Sequence, residues 1–223
     1  MLKKRITALC TLIFLFLNLC SCSLSGEKNE QEPVAKTATG SDGKTYSVVV
    51  DGDGFLALGD KDFLAVCVED ENGNPGKNSK GEYVTRAVPF PETLTVGKEI
   101  HTKFFRMALP DGWTSVSDDL VKLTLKKGDM TASLTVNDRT GSSVKECKEE
   151  VKKLMSGVGE GTEEKVKLAF AEAVKLNYEN KIAVYIFEKE DRVYFVKIYA
   201  DEKLFEEVNF EEIINTIKFR KGE

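Results

Sequence analysis

The 223 residues include 32 Lys+Arg, 37 Asp+Glu and a single histidine, a net charge of −5, with 41% hydrophobic residues. An acidic balance speaks against nucleic acid as a partner, because phosphate binding needs clustered cations. The length suits one domain, or one domain with a small extension, and the hydrophobic share allows a real core.

Lys3, Lys4 and Arg5 precede an apolar run from Ile6 to Leu19, broken only by Thr7, Thr11 and Asn18. A run of about 14 residues is too short to span a bilayer comfortably and has the proportions of a secretion signal. It ends Leu19-Cys20-Ser21-Cys22. This ending resembles the lipobox of bacterial lipoproteins: an aliphatic residue, a tolerated one, a small one, then cysteine. The resemblance implies that residues 1–21 are removed as a signal peptide and that Cys22 is lipidated as the first mature residue. Cys20 is the competing position, but Leu19 would then precede the cut, where a small residue such as Ser21 is needed. Members of that family carry at least two acyl chains on the cysteine, and two chains hold a protein stably where one does not. The expected localisation is the extracytoplasmic face of a cell membrane, with the membrane engaged through the lipid anchor. Without residues 1–21 the chain has 29 cations against 37 anions, a net charge near −8. Acyl chains rather than charge would therefore hold it to an anionic surface.

Residues 22–43 are polar, with Pro33 and three glycines, and read as a flexible tether too poor in apolar groups to offset ordering. About twenty such residues span roughly 25 Å as a coil. Residues 44–103 read as a β-rich extension packed on the main domain. Tyr46–Val50 and Gly54–Leu58 flank the turn Asp51-Gly52-Asp53. Phe63–Glu69 is apolar on both faces and reads as a covered strand. A long polar hairpin loop, 70–81, leads to the returning strand Glu82–Val88, which Pro89 and Pro91 end. Thr93–Val96 and Ile100–Leu109 are further strand candidates. Pro110-Asp111-Gly112 forms a tight turn before Trp113. Leu120–Leu125 and Met130–Val136, around Lys127-Gly128-Asp129, make the clearest hairpin.

One strong helix follows. Ser143 and Glu146 form a capping box, and Val144, Cys147, Val151, Leu154, Met155 and Val158 make an apolar stripe at helical spacing. Lys148 and Lys152 are a like-charge pair one turn apart, and Gly157 and Gly159 stop the helix. Strands are expected at Lys165–Leu168, Ala173–Tyr178, Ile182–Glu188 and Arg192–Tyr199, then a short helix from Phe210 to Thr216 capped by Asn209. No internal repeat of fixed period is visible.

The order of elements from Phe104 onward, the turn Pro110-Asp111-Gly112-Trp113 and the ending Ile217-Lys218-Phe219 together resemble the PsbP-like superfamily. The resemblance covers about half the chain, and Tyr46–Lys103 has no counterpart in it. It implies an α+β fold over residues 104–223, an antiparallel β-sheet flanked by helices, here with an N-terminal β-rich extension. Superfamily members act mostly in binding or assembly, so no catalytic residue is carried over.

The residues themselves offer little chemistry. His101, on a strand, has no Gly-x-Ser-x-Gly elbow to serve and reads as a partly exposed strand residue. Cys67 and Cys147 read most simply as two separately buried thiols, with a bridge across an exported protein left open. Neither these cysteines nor His101 makes a zinc set. Asp51, Asp53, Asp60 and Asp62, and Asp70, Glu71, Asn72 and Asn74, could offer oxygens to calcium. Pro75 and Gly81 spoil an EF-hand reading that starts at Asp70, so solvated turns are the default. Glu163-Glu164 and Glu206-Glu207 read as solvated faces. Trp113 reads as a core or hinge residue, with a cleft-capping role as the alternative. No cofactor, metal or catalytic residue is expected. The expected function is a non-enzymatic, membrane-anchored lipoprotein that binds or scaffolds an envelope protein or polymer. The alternatives are a small-molecule-binding lipoprotein and a carboxylate-based envelope hydrolase.

Overall fold

The computed structural model of the protein describes residues 32–60, 62–117 and 122–220, and Glu32–Glu223 forms one compact unit. The signal segment and Cys22 lie outside the described residues. Sixteen strands and three helices are described. The first sheet has nine strands, all antiparallel. It contains β1 (Val34–Gly40), β2 (Thr45–Val50), β3 (Leu58–Asp60), β4 (Phe63–Cys67) and β5 (Thr85–Pro89). It continues with β6 (Leu94–Val96), β7 (Glu99–His101), β8 (Phe105–Ala108) and β16 (Lys218–Phe219). The path runs β16-β8-β7-β6-β1-β2-β4-β3, and β5 pairs with β4.

The second sheet has seven antiparallel strands. These are β9 (Thr114–Ser117), β10 (Lys122–Lys127), β11 (Met130–Thr140), β12 (Thr162–Lys167), β13 (Glu172–Tyr178), β14 (Ile182–Lys189) and β15 (Arg192–Ala200). The order is β12-β13-β14-β15-β11-β10-β9. Three short helices accompany the sheets: α1 (Val144–Leu154), α2 (Glu202–Glu207) and α3 (Phe210–Ile214), of 11, 6 and 5 residues.

This corrects the expected α+β class, in which helices flank one sheet: the protein is mostly antiparallel β. The reason lies in the covering. One face of the seven-stranded sheet (Leu134, Val136, Tyr185, Phe187, Val196, Ile198) packs against Ile100, Phe105 and Met107 of the other sheet. Leu204, Phe210, Ile213, Ile214 and Ile217 complete that core. These come from the short α2 and α3 and the segment after them, while the opposite face takes the one longer helix, through Cys147 and Val151 of α1 on Leu176, Tyr178, Val184, Ile186 and Val193. Alternation along β14 and β15 feeds both faces at once, as period two requires. A smaller core, Ala38, Val48, Val50, Leu56, Leu64, Val66, Leu94 and Val96, lies within the nine-stranded sheet.

Three further readings change. Val34–Gly40, read as tether, is β1, paired with β2 on one side and β6 on the other. Its small residues suit a crowded site: a Cβ on Gly40 would stand 2.5 Å from Asp42 Oδ1 and 2.9 Å from the Tyr46 ring. Ile100–Leu109, read as one strand, is the hairpin β7–β8. Thr102 folds it, its Oγ1 accepting from the N–H groups of Phe104 and Phe105. The boundary expected at Lys103/Phe104 therefore falls between hydrogen-bonded neighbours in one sheet. Finally, Leu154 leaves the expected apolar stripe of α1 and is 74% exposed.

The local rules otherwise explain the elements. Ser143 and Glu146 form the capping box of α1. Lys148 and Lys152 converge on Glu163 of β12, donating to Oε1 at 2.8 Å and to Oε2 at 2.7 Å, which resolves their repulsion. The polar loop 70–81 is two successive tight turns. Asp70 Oδ1 accepts from the Asn72 and Asn74 amides, and Asn78 Oδ1 from those of Lys80 and Glu82. Gly73 and Gly81 take positive φ in these turns.

Candidate functional site

Two concave sites stand out. The larger, about 690 Å³, opens between the β1–β2 turn and the segment after β5. Tyr46, Val88, Pro89, Phe90 and Pro91 give it apolar walls, and Asp42, Lys44, Arg86 and Glu92 ring it with charge. Tyr46 Oη donates to Asp42 Oδ2 at 2.6 Å. That bond holds the Asp42 carboxyl below its usual range, with help from the Lys44 amide. Burial, then the same bond, pushes the Tyr46 hydroxyl up to about 12, so it stays protonated and serves as a donor. The cleft combines flat apolar surfaces with fixed hydrogen-bonding groups, which suits recognition.

The second, about 370 Å³, is a crevice between the turn before Trp113 and the segment joining α2 to α3. Pro110 O accepts from the Trp113 N–H at 3.1 Å, and Gly112 takes φ 80°, so the turn is of the kind that needs glycine at its third position. Lys98 Nζ pairs with Asp111 Oδ1 at 2.6 Å on the outside of this turn. Trp113 is both core and wall: it is 8% exposed within the main core and also lines the crevice. The two readings of this residue are thus not exclusive.

His101 is not partly exposed, as expected, but 2% exposed. Burial, with Arg106, Lys36 and Arg220 nearby, pushes its imidazole down to about 4. The ring is therefore neutral near pH 7. Nε2 lies 3.4 Å from Glu99 Oε2, yet neither ring nitrogen has a hydrogen-bond partner. Arg106 takes Glu99 Oε1 at 2.6 Å and the Asp53 carbonyl at 3.0 Å, and it stacks with Arg220 about the Phe55 ring. A buried polar cluster, not a nucleophile's base, surrounds this histidine.

The remaining sequence candidates fall apart in space. Cys67 and Cys147 are buried and unbridged, and burial raises the Cys147 thiol. Asp51 Oδ1 accepts from the Phe55 amide, Asp70 serves its own turn, and Asp62 pairs with Lys103. No metal-holding group of three occurs among the described residues. Glu163 binds α1, while Glu164 reaches Lys175 at 3.0 Å, so this acidic pair is structural. Every carboxyl that shifts among the described residues shifts down. Asp42, Asp111, Glu146, Glu150, Glu163 and Glu164 are each lowered chiefly by a hydrogen bond they accept. No helix among the described residues is long and apolar enough to cross a membrane.

Sequence reasoning flagged Trp113 and the Asn209 cap, but missed Tyr46–Asp42, Phe90, Lys127 and Glu212. A Tyr four residues after an Asp in a Gly-rich turn was the available signal for the first pair; the others meet only through the tertiary fold.

No known protein family and no curated protein matches this sequence. Two solved structures are similar to parts of it. A crystal structure from Bacteroides thetaiotaomicron VPI-5482 is 14% identical, with a TM-score of 0.32 over 53% of this chain and 46% of that one. The chain thus spans about half the length of that protein. The solution structure of cyanobacterial PsbP (CyanoP) from Synechocystis sp. PCC 6803 is 11% identical, with a TM-score of 0.35. That match covers 52% of this chain and 86% of CyanoP. Neither brings a residue role to this chain.

Proposed function

We propose that this protein is a lipoprotein tethered through Cys22 to the outer face of a cell membrane, where its β body binds or scaffolds another envelope component without catalysing a reaction. The observation that carries the reading is the ending Leu19-Cys20-Ser21-Cys22 after a basic, then apolar, amino terminus. The open cleft at Tyr46 and Phe90 supports the binding role, since it offers walls and fixed polar groups. Mass spectrometry of the protein from its native membrane tests the anchor. A diacylated amino-terminal Cys22, and release of the Cys22→Ala protein into the soluble fraction, are expected; an unmodified amino terminus would overturn it.

A second reading, small-molecule binding by the same tethered body, is favoured by the crevice at Trp113, whose size falls in the range of ligand sites.

A further inference from the structure

The crevice at Trp113 has a distribution of charge that narrows what it can hold. Its apolar lining is Leu109, Pro110, Trp113, Val208 and Ile213. Lys127, the last residue of β10, stands on the lining half-buried. It makes no ion pair among the described residues, although charged groups elsewhere on the surface are extensively paired. Glu207 and Glu212, both exposed, also line the crevice. Glu207 reaches only the exposed Lys203, at 3.8 Å, and Glu212 accepts from Asn209 Nδ2 at 3.2 Å.

We infer that this crevice is a binding site for a small zwitterion with an apolar side group, of the amino-acid or short-peptide class. The inference rests on the small-molecule reading of the crevice. A half-buried lysine that makes no ion pair of its own among the described residues calls for an anionic group on the ligand. Two carboxylates beside a single cation disfavour a phosphate or another dianion and welcome an ammonium. The indole, proline and aliphatic surfaces take the side group. Lys127 binds the ligand's carboxylate, Glu207 and Glu212 its ammonium, and Trp113 its apolar part. The volume of about 370 Å³ is enough for two residues.

Trp113 is the sole tryptophan of the chain and lines the crevice, so its fluorescence reports on this site. The probe is leucyl-leucine, titrated into the folded protein. A saturable change in emission is expected. N-acetyl-leucyl-leucine amide, which lacks both charges, and 4-methylpentanoyl-leucine, which lacks only the ammonium, should each bind about tenfold more weakly, as should leucyl-leucine to the Lys127→Met protein. Amide chemical shifts of Asn209 and Thr216 give a readout independent of the indole. Equal affinity for the capped peptide or for 4-methylpentanoyl-leucine would overturn the zwitterion assignment and leave small-molecule binding standing. No saturable response to any of the three probes, by either readout, would overturn both.

Discussion

In the seven-stranded sheet, β14 and β15 send alternate residues to two buried faces, and the cores they fill are made of Leu, Ile, Val, Tyr and Phe. In the nine-stranded sheet, β1 contributes Ala38 and Gly40, and the end of β7 buries an unpartnered His101. The first region is held by apolar area on two faces; the second adds to its smaller apolar core a crowded position at Gly40 and a buried histidine. The contrast teaches that two neighbouring sheets of one compact unit can differ in what destabilises them: lost volume in one, added volume or added charge in the other.

The largest effect is expected where the main core gathers its aromatics. Phe187 touches Phe170, Tyr194 and Phe219, with ring centroids 5.2–5.8 Å apart. Phe187→Ala should cost about 3–5 kcal/mol in urea denaturation. A loss below about 1 kcal/mol would mean that this core is not the one holding the body together.

Acid should act next, and on the other sheet. His101 has an ordinary value of 6.5 and a folded value of about 4. Between these the unfolded chain takes up a proton that the folded one refuses, so stability falls as pH drops from about 6.5 toward 4. The full loss is about 3 kcal/mol. Arg106, Lys36 and Arg220 oppose protonation, and the Glu99 carboxylate lies 3.4 Å from the ring. His101→Leu should remove this slope from a series of denaturation curves, whereas an unchanged slope would place its source elsewhere.

Gly40→Ala tests close approach directly. Its Cβ would meet Asp42 Oδ1 and the Tyr46 ring at under 3 Å, with Pro91 at 3.3 Å. A cost of about 1–3 kcal/mol is expected, together with a distorted Tyr46–Asp42 pair seen as a lowered tyrosine pKa in ultraviolet titration. The same substitution at Gly128, which has open space around it but φ 61°, should cost only through its backbone.

The smallest effect sharpens the contrast from the stable side. Glu190 and Asp191 take φ of 51° and 60° in the two-residue turn joining β14 to β15. Replacing them with Asn-Gly should raise stability by about 1 kcal/mol, since that pair adopts left-handed backbone more readily. No gain in the midpoint of thermal unfolding would count against the turn geometry.

Most of the seven-stranded sheet was legible in the sequence because its signals are local; β9, Thr114–Ser117, was not. The alternation in Ile182–Glu188 and Arg192–Tyr199, Gly128 in its hairpin and the Ser143–Glu146 box each announce themselves within a few residues. Strand β1 was not legible, since Val34-Ala35-Lys36-Thr37-Ala38 has the composition of a linker and becomes a strand only between β2 and β6. The turn at Thr102 has neither glycine nor proline to mark it, so one strand was expected where two form. Of the crevice, Trp113 could be singled out by type. Lys127 and Glu212 reach it from distant elements, and no spacing in the chain brings them together.

The pairing of β16 with β8 has a bearing on how the chain comes to be folded. The Ala108 N–H donates to Thr216 Oγ1, 108 positions away, and Phe219 joins the aromatic group from residues far along the sequence. Contacts of such separation form late and slowly. The nine-stranded sheet is therefore complete only once β16 has joined β8, so that distant encounter, and not the closing of the local hairpins, should limit the rate of folding.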